Sequence, residues 1–250
     1  MMDPSFRKIL ICVVSMTVFV RVEAQQQSRY LEFHAGVAPL QIKDYFYSPY
    51  TYRGTGLRLQ GMYGQERTKT QWQLEAGYTQ TNPQSIVSRK ASTRLVDLIL
   101  NYHWRLSPAR QPENRLQYFG GIGLRLLGNS TNYSPDSEVS TVQATAAVSL
   151  GASALVSYRF TPVHRLQIQA FASVVSAVYR PDYDYNDKEQ IAATWFGKNP
   201  ILAVQARYQY QFSRKYQATC RYQMSYFKYD QPRSVIWLRQ SVSIGIQRSF

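Results

Sequence analysis

The chain has 250 residues and a formal net charge of +14, and 20 of its residues are tyrosine. That length allows one β-domain or two small ones, and no segment after residue 24 approaches the roughly 20 apolar residues of a transmembrane helix. So basic a chain suits anionic surroundings such as lipopolysaccharide phosphates or acidic glycans. Nucleic acid is set aside, because the chain carries an export signal and no RNA- or DNA-binding motif.

The export signal opens the sequence. Arg7 and Lys8 precede an apolar run from Ile9 to Val20, followed by Val22-Glu23-Ala24. Small residues at the last and third-last positions suit a signal peptidase, so cleavage is expected after Ala24, with 25–250 as one domain. The run is too short to stay behind as an anchor. Cys12 sits inside the run rather than at the cleavage site, which argues against a lipoprotein, and it leaves with the signal. Cys220 then remains alone, so no internal disulfide can form.

Period-two alternation follows along the chain. The first segment, about Tyr30 to Val37, sets Leu31, Phe33, Ala35 and Val37 against Glu32 and His34. The second, Gly56 to Gly64, sets Leu57, Leu59 and Tyr63 against Arg58 and Gln60. The third, Thr70 to Gln80, carries Trp72, Leu74, Ala76 and Tyr78 opposite Gln71, Gln73 and Glu75. In the fourth, Arg94 to Arg105, apolar residues oppose Asp97, Asn101 and His103. The fifth runs from Arg115 to Leu127 with Arg125 on its polar face, the sixth from Val142 to Phe160, and the seventh from Arg165 to Tyr179. The eighth and ninth form a hairpin over Leu202–Tyr226 around Ser213-Arg214-Lys215, with Arg207 and Arg221 on the Gln-rich face. The tenth, Val235 to Phe250, sets Ile236, Leu238, Val242, Ile244 and Ile246 against Arg239, Ser241 and Ser243.

Connections alternate in length. Those after the even segments are short, near Gln65–Lys69, Ser107–Asn114, Thr161–His164 and Ser213–Lys215. Those after the odd segments are mostly long: Pro39–Arg53, Thr81–Thr93, Gly128–Thr141 and Arg180–Asn199, with Tyr229–Ser234 shorter. Aromatics such as Trp72, Trp104, Tyr118, Tyr158, Tyr210 and Tyr216 gather toward the short-turn end, while Tyr78, Tyr226 and Trp237 are expected at the opposite rim. Short turns at one end, long loops at the other and aromatic girdles are marks of an up-and-down barrel in an outer membrane. In lipid every backbone N–H and C=O needs a partner, so such a sheet must close. The apolar set then faces lipid and the polar set fills the lumen. A secreted sandwich or lipocalin-like barrel would bury the apolar set instead, and would leave the girdle and loop asymmetry without a cause.

Together these features resemble the small Gram-negative outer-membrane β-barrels of the OmpA/OmpX-type and PorT-like group. The resemblance rests on the signal up to Ala24, the alternating strands and the ending Ser243-Ile244-Gly245-Ile246-Gln247-Arg248-Ser249-Phe250. It implies recognition of Phe250 by the barrel-assembly machinery. Arg248 stands where that group often has an apolar or aromatic residue. The resemblance carries over no functional residue.

Chemistry is sparse. Acid–base or nucleophilic catalysis needs His, Ser or carboxylate groups clustered at a rim. His164 lies in a short turn and His103 near the short-turn end, leaving His34 near mid-barrel. Glu75 and Asp97 are better read as interior ion-pair partners of Arg58, Arg125, Arg207 or Arg221. The loop Asp182-Tyr183-Asp184-Tyr185-Asn186-Asp187 mimics the start of a calcium loop, but it lacks the turn glycine and has Ala193 where the closing glutamate belongs. No metal, cofactor or catalytic residue is assigned. Tyr45, Phe46, Tyr47, Tyr50 and Tyr52 form an aromatic loop suited to a sugar or protein partner, or to packing on the barrel's own rim.

The sequence therefore predicts an all-β, up-and-down antiparallel transmembrane barrel of about ten strands, with eight or twelve as alternatives. The expected role is non-enzymatic: binding a partner or surface ligand through the outer loops, in envelope structure or a secretion assembly. A small anion-selective channel lined by the interior arginines is the alternative, and a lipid-modifying enzyme or protease the second alternative.

Overall fold

The computed structural model describes residues 28–45, 48–107, 115–133, 142–181, 189–230 and 234–250. The predicted signal and its cleavage site, Phe46, Tyr47 and Asp182–Asp187 lie outside these residues. The strands are β1 (Ser28–Asp44), β2 (Thr51–Glu66), β3 (Thr70–Thr81), β4 (Gln84–Ser85), β5 (Ser92–Arg105) and β6 (Leu116–Asn132). Then come β7 (Val142–Thr161), β8 (His164–Pro181), β9 (Glu189–Trp195), β10 (Ile201–Gln211), β11 (Tyr216–Tyr229) and β12 (Val235–Ser249).

Each long strand pairs antiparallel with its sequence neighbour, and β1 also pairs with β12, from Tyr30↔Ser249 to Asp44↔Val235. The sheet is thereby a closed ten-strand up-and-down barrel. Two short strands stand outside the wall. β4 pairs with β2 at Tyr52↔Ser85, and β9 pairs with the upper part of β8 from Val175↔Trp195 to Pro181↔Glu189. Both belong to connections expected as loops. Other strands also run longer than their alternation suggests; β1 reaches Asp44 and β2 begins at Thr51.

The outward face is apolar over the middle of the wall, with Phe33, Leu59, Val96, Ile122, Leu150, Ile168, Val204 and Ile244 exposed. Its inward face carries buried Gln, Ser, Thr, Arg and acidic residues. This reverses the pattern of a water-soluble barrel. Edge-to-face aromatic pairs Tyr63–Trp72, Tyr102–Trp104 and Tyr158–Phe160 ring the short-turn end, as predicted.

The opposite end departs from expectation. Above the polar interior, the inward positions turn apolar, and Leu40, Ile42, Tyr52, Leu95, Leu127, Val178, Phe227, Val235 and Trp237 form one buried cluster. Trp237, expected on the outer rim, is 3% exposed and stacks on Phe227 with ring centroids 5.1 Å apart. Its odd number gives it the same inward parity as Arg239 and Ser241, and parity, not polarity, fixes the side of a strand.

Candidate functional site in the barrel lumen

From the short-turn end upward, the lumen holds successive layers of side chains, each bridging strands across the barrel. The lowest surrounds a cavity of about 90 Å³ lined by Tyr30, Glu66, Arg165, Gln209 and Gln247 among others. Here Arg165 Nη1 on β8 donates to both Glu66 oxygens on β2, at 3.0 and 2.9 Å.

Next, Glu32 on β1 accepts from Arg207 Nη2 on β10 and contacts the His34 ring. Arg207 also reaches Gln167 on β8 and Gln247 on β12, and its guanidinium lies 5.2 Å from the Tyr30 ring centroid. His34 Nδ1 is 3.5 Å from Ser243 Oγ. Glu32, His34 and Ser243 thus stand in the order of an acid–base–nucleophile relay, yet all are buried in a packed layer.

Higher up, Arg221 Nη1 donates to Glu75 Oε2 at 2.7 Å, while Gln60 Nε2 donates to Glu75 Oε1 and Gln223 Oε1 at 2.9 and 3.0 Å. Above this, Asp97 on β5 is held from two sides. Arg58 on β2 gives it a bidentate pair at 2.9 Å per bond, and Arg239 Nη1 on β12 donates at 2.7 Å. Planar guanidinium–carboxylate forks are the strongest kind of buried polar contact, and this one crosses the lumen. Gly77 leaves the space it needs: a Cβ there would lie 2.7 Å from Arg58 Nη2 and 2.8 Å from Asp97 Oδ2.

Arg125 behaves differently. Its guanidinium lies over the Phe171 ring, 4.5 Å from the centroid, rather than on a carboxylate. Phe171 itself reaches over Gly123 and Gly151. The apolar cluster caps this layer, and above it Arg180 Nη2 on β8 donates to Asp44 Oδ1 on β1 at 2.7 Å.

All six lumen residues singled out in the sequence, Arg58, Glu75, Asp97, Arg125, Arg207 and Arg221, therefore point inward and are 4% exposed or less. The network joins five of them to Arg239, Gln60, Gln223 and Glu32; Arg125 stacks on a ring. Phe171, the Asp44–Arg180 pair and the apolar cap were not foreseen. Inward parity was the available signal for Leu40, Ile42 and Tyr52, but their strands were cut short. The aromatic loop separates: Tyr52 is 1% exposed within the cap, Tyr50 packs against it partly buried, and Tyr45 is exposed with Lys43 Nζ 4.2 Å from its ring centroid. Among the described residues no group of three or more His, Cys, Asp or Glu could hold a metal ion.

Comparison with known proteins agrees with this fold. The outer membrane protease OmpT from Escherichia coli superposes with a TM-score of 0.58 at 10% identity, covering 92% of this chain and 99% of that one. The chain has the fold of an outer-membrane β-barrel. The translocator domain of the autotransporter NalP from Neisseria meningitidis aligns over 98% of this chain and 95% of its own at 11% identity, but its TM-score of 0.45 carries no argument. No family model and no curated protein sequence matches the chain. At such identity the likeness extends to the fold and to no residue of the lumen.

Proposed function

We propose that the protein resides in the outer membrane of a Gram-negative cell as a closed, non-enzymatic barrel that presents its long-loop end to a protein or glycan partner. The observation that carries this reading is the bridged lumen: Arg58, Asp97 and Arg239 join three strands across it, and an apolar cap lies above them. A pore needs a continuous wet path, and side chains that meet across the lumen at two levels among the described residues support a closed barrel instead. The protease activity named for OmpT, or any lipid-modifying activity, would need a reachable site. Glu32, His34 and Ser243, the arrangement nearest to such chemistry, are enclosed by packed side chains. At the long-loop end, by contrast, Ile86 beside β4 is 92% exposed, and Ile191 and Trp195 on β9 also stand free. Exposed apolar side chains rimmed by polar ones suit partner docking. Phe250, whose N–H donates to Arg29 O at 2.9 Å across the closing strands, is proposed as the element read by the assembly machinery.

The test is single-channel conductance of the inserted protein in a planar bilayer under a salt gradient. Electrical silence from a heat-modifiable, folded barrel is the expected result. Steady anion-preferring openings would move the function into the lumen, where guanidiniums exceed carboxylates.

A further inference from the structure

Along most of the closing seam, β1 and β12 pair residue for residue. The pairing lapses once, at Ala38 and Pro39 opposite Ser241 and Gln240, and resumes in the same register at Leu40↔Arg239. Proline has no N–H to give to the ladder, so a lapse there follows from the sequence. On the outer surface at this point lies a groove of about 380 Å³, lined by Pro39, Gln41, Thr55, Leu238, Gln240 and the exposed Arg53. Gln41 and Gln240 are polar side chains at outward positions, where the rest of the wall is mostly apolar. Lys43 occupies the next outward position above Gln41, and Lys228 shares its row across Ile236. Lys228 is already paired with Asp230 at 2.9 Å, whereas Arg53 and Lys43 make no salt bridge among the described residues.

Below the groove the outward face becomes wholly apolar through Val37, Leu57 and Val242, all exposed. It then sinks into a hollow of about 1110 Å³ across the seam. Small residues (Ala35, Gly61, Ala76, Ala218) form its floor, and Phe33 and Ile244 stand at its sides. Gln41 and Ala35 are six residues apart on β1. At about 3.3 Å per residue and a tilt of about 40°, that is roughly 15 Å along the membrane normal, or half the apolar thickness of a bilayer.

We propose that the β12–β1–β2 face binds one net-anionic, phosphate-bearing lipid of the outer leaflet, with its head on Arg53 and Lys43 and its acyl chains laid down the seam into the hollow. Charge complementarity selects the head, since two cations without acidic partners at headgroup level favour a net-anionic phosphate head, whereas the choline of a zwitterionic head offsets the attraction of its own phosphate. The hollow selects the chains, since small side chains let an acyl chain lie closer to the backbone than the flanking large ones do. Gln41 and Gln240 beside the lapse stand where a lipid head, unlike its chains, can hydrogen-bond to them. The inference rests on the membrane reading above, and the experiment separates the two.

The full chain is produced in cells, and its membranes are washed with alkaline carbonate before detergent extraction. Release by carbonate would refute the membrane reading itself. The extracted barrel is then offered six-chain diphosphorylated lipid A or phosphatidylcholine, and retained lipid is counted by native mass spectrometry. The wild type is expected to keep one diphosphorylated lipid through detergent exchange and to lose phosphatidylcholine. Lys43→Gln and Arg53→Gln should each weaken retention about fivefold, from about 1 kcal/mol per surface cation. Ala35→Trp, which fills the hollow and touches no charge, should weaken it as well. Arg94→Gln, on the outward face of β5 away from the seam, should not. Equal retention of both lipids, retention unchanged by Arg53→Gln and Lys43→Gln, or the hollow occupied by a second copy of the chain would each overturn the proposal.

Discussion

Replacing Asp97 by Asn tests whether the lumen is held by its charges. The carboxylate takes three bonds of 2.7–2.9 Å from two guanidiniums, and Asp97 and Arg58 are fully buried with Arg239 nearly so. At an effective dielectric constant of about 20, unit charges about 4 Å apart attract by about 4 kcal/mol. Removing one member of a buried pair typically costs about 3–5 kcal/mol, because the partner stays behind uncompensated. Here two partners stay behind, facing each other, and the amide can turn only one oxygen toward them. D97N should therefore lose about 3–5 kcal/mol, measured by urea unfolding from lipid vesicles with tryptophan fluorescence. Adding Arg239→Met to that background removes one stranded cation and should restore at least about 1 kcal/mol. A D97N barrel within about 1 kcal/mol of wild type, with no gain from the second change, would show that water in the lumen replaces the carboxylate and that the network is not what closes the barrel.

Gly77→Ala should cost about 1–3 kcal/mol in the same assay, because its methyl would press on the Arg58–Asp97 fork. Phe227→Ala with Trp237→Ala removes the stacked rings of the cap and should cost at least about 3–5 kcal/mol in the same assay, with planar bilayers still silent because the Arg58–Asp97–Arg239 bridge remains below. Deleting Phe250 should lower the fraction of heat-modifiable barrel recovered from cells, while urea unfolding of the folded remainder changes little. Its one described backbone bond lies at the end of the seam.

Strand number, antiparallel order, loop asymmetry and the inward placement of Arg58, Glu75, Asp97, Arg125, Arg207 and Arg221 were legible because alternation is a direct image of the pleat. The upper lumen was not. Period-two reading assigned polar residues inward and apolar residues outward throughout, and that rule holds only while the interior is polar. At Leu40, Ile42 and Tyr52 the interior turns apolar, so the contrast between faces fades and alternation no longer marks the strand. Trp237 was misplaced for the same reason, although counting back from Arg239 gives its side. Partner choice in the network was equally hidden. Nothing local says that Arg239 rather than Arg125 would reach Asp97, since that depends on Phe171 crossing over two glycines from another strand.

The pairing of Tyr30 with Ser249 has a consequence for how the chain reaches this state. The hydrogen bonds that close the cylinder join β1 to β12, which lie far apart in the sequence. Contacts so distant form slowly, since loop closure is opposed by chain entropy before any bond rewards it. Until β12 arrives, β1 and the growing end both expose unpaired edges, and such edges readily pair with other chains. Folding must therefore wait for the C-terminus, and a chain stopped anywhere before Val235 is not a smaller barrel but an open sheet with two adhesive sides.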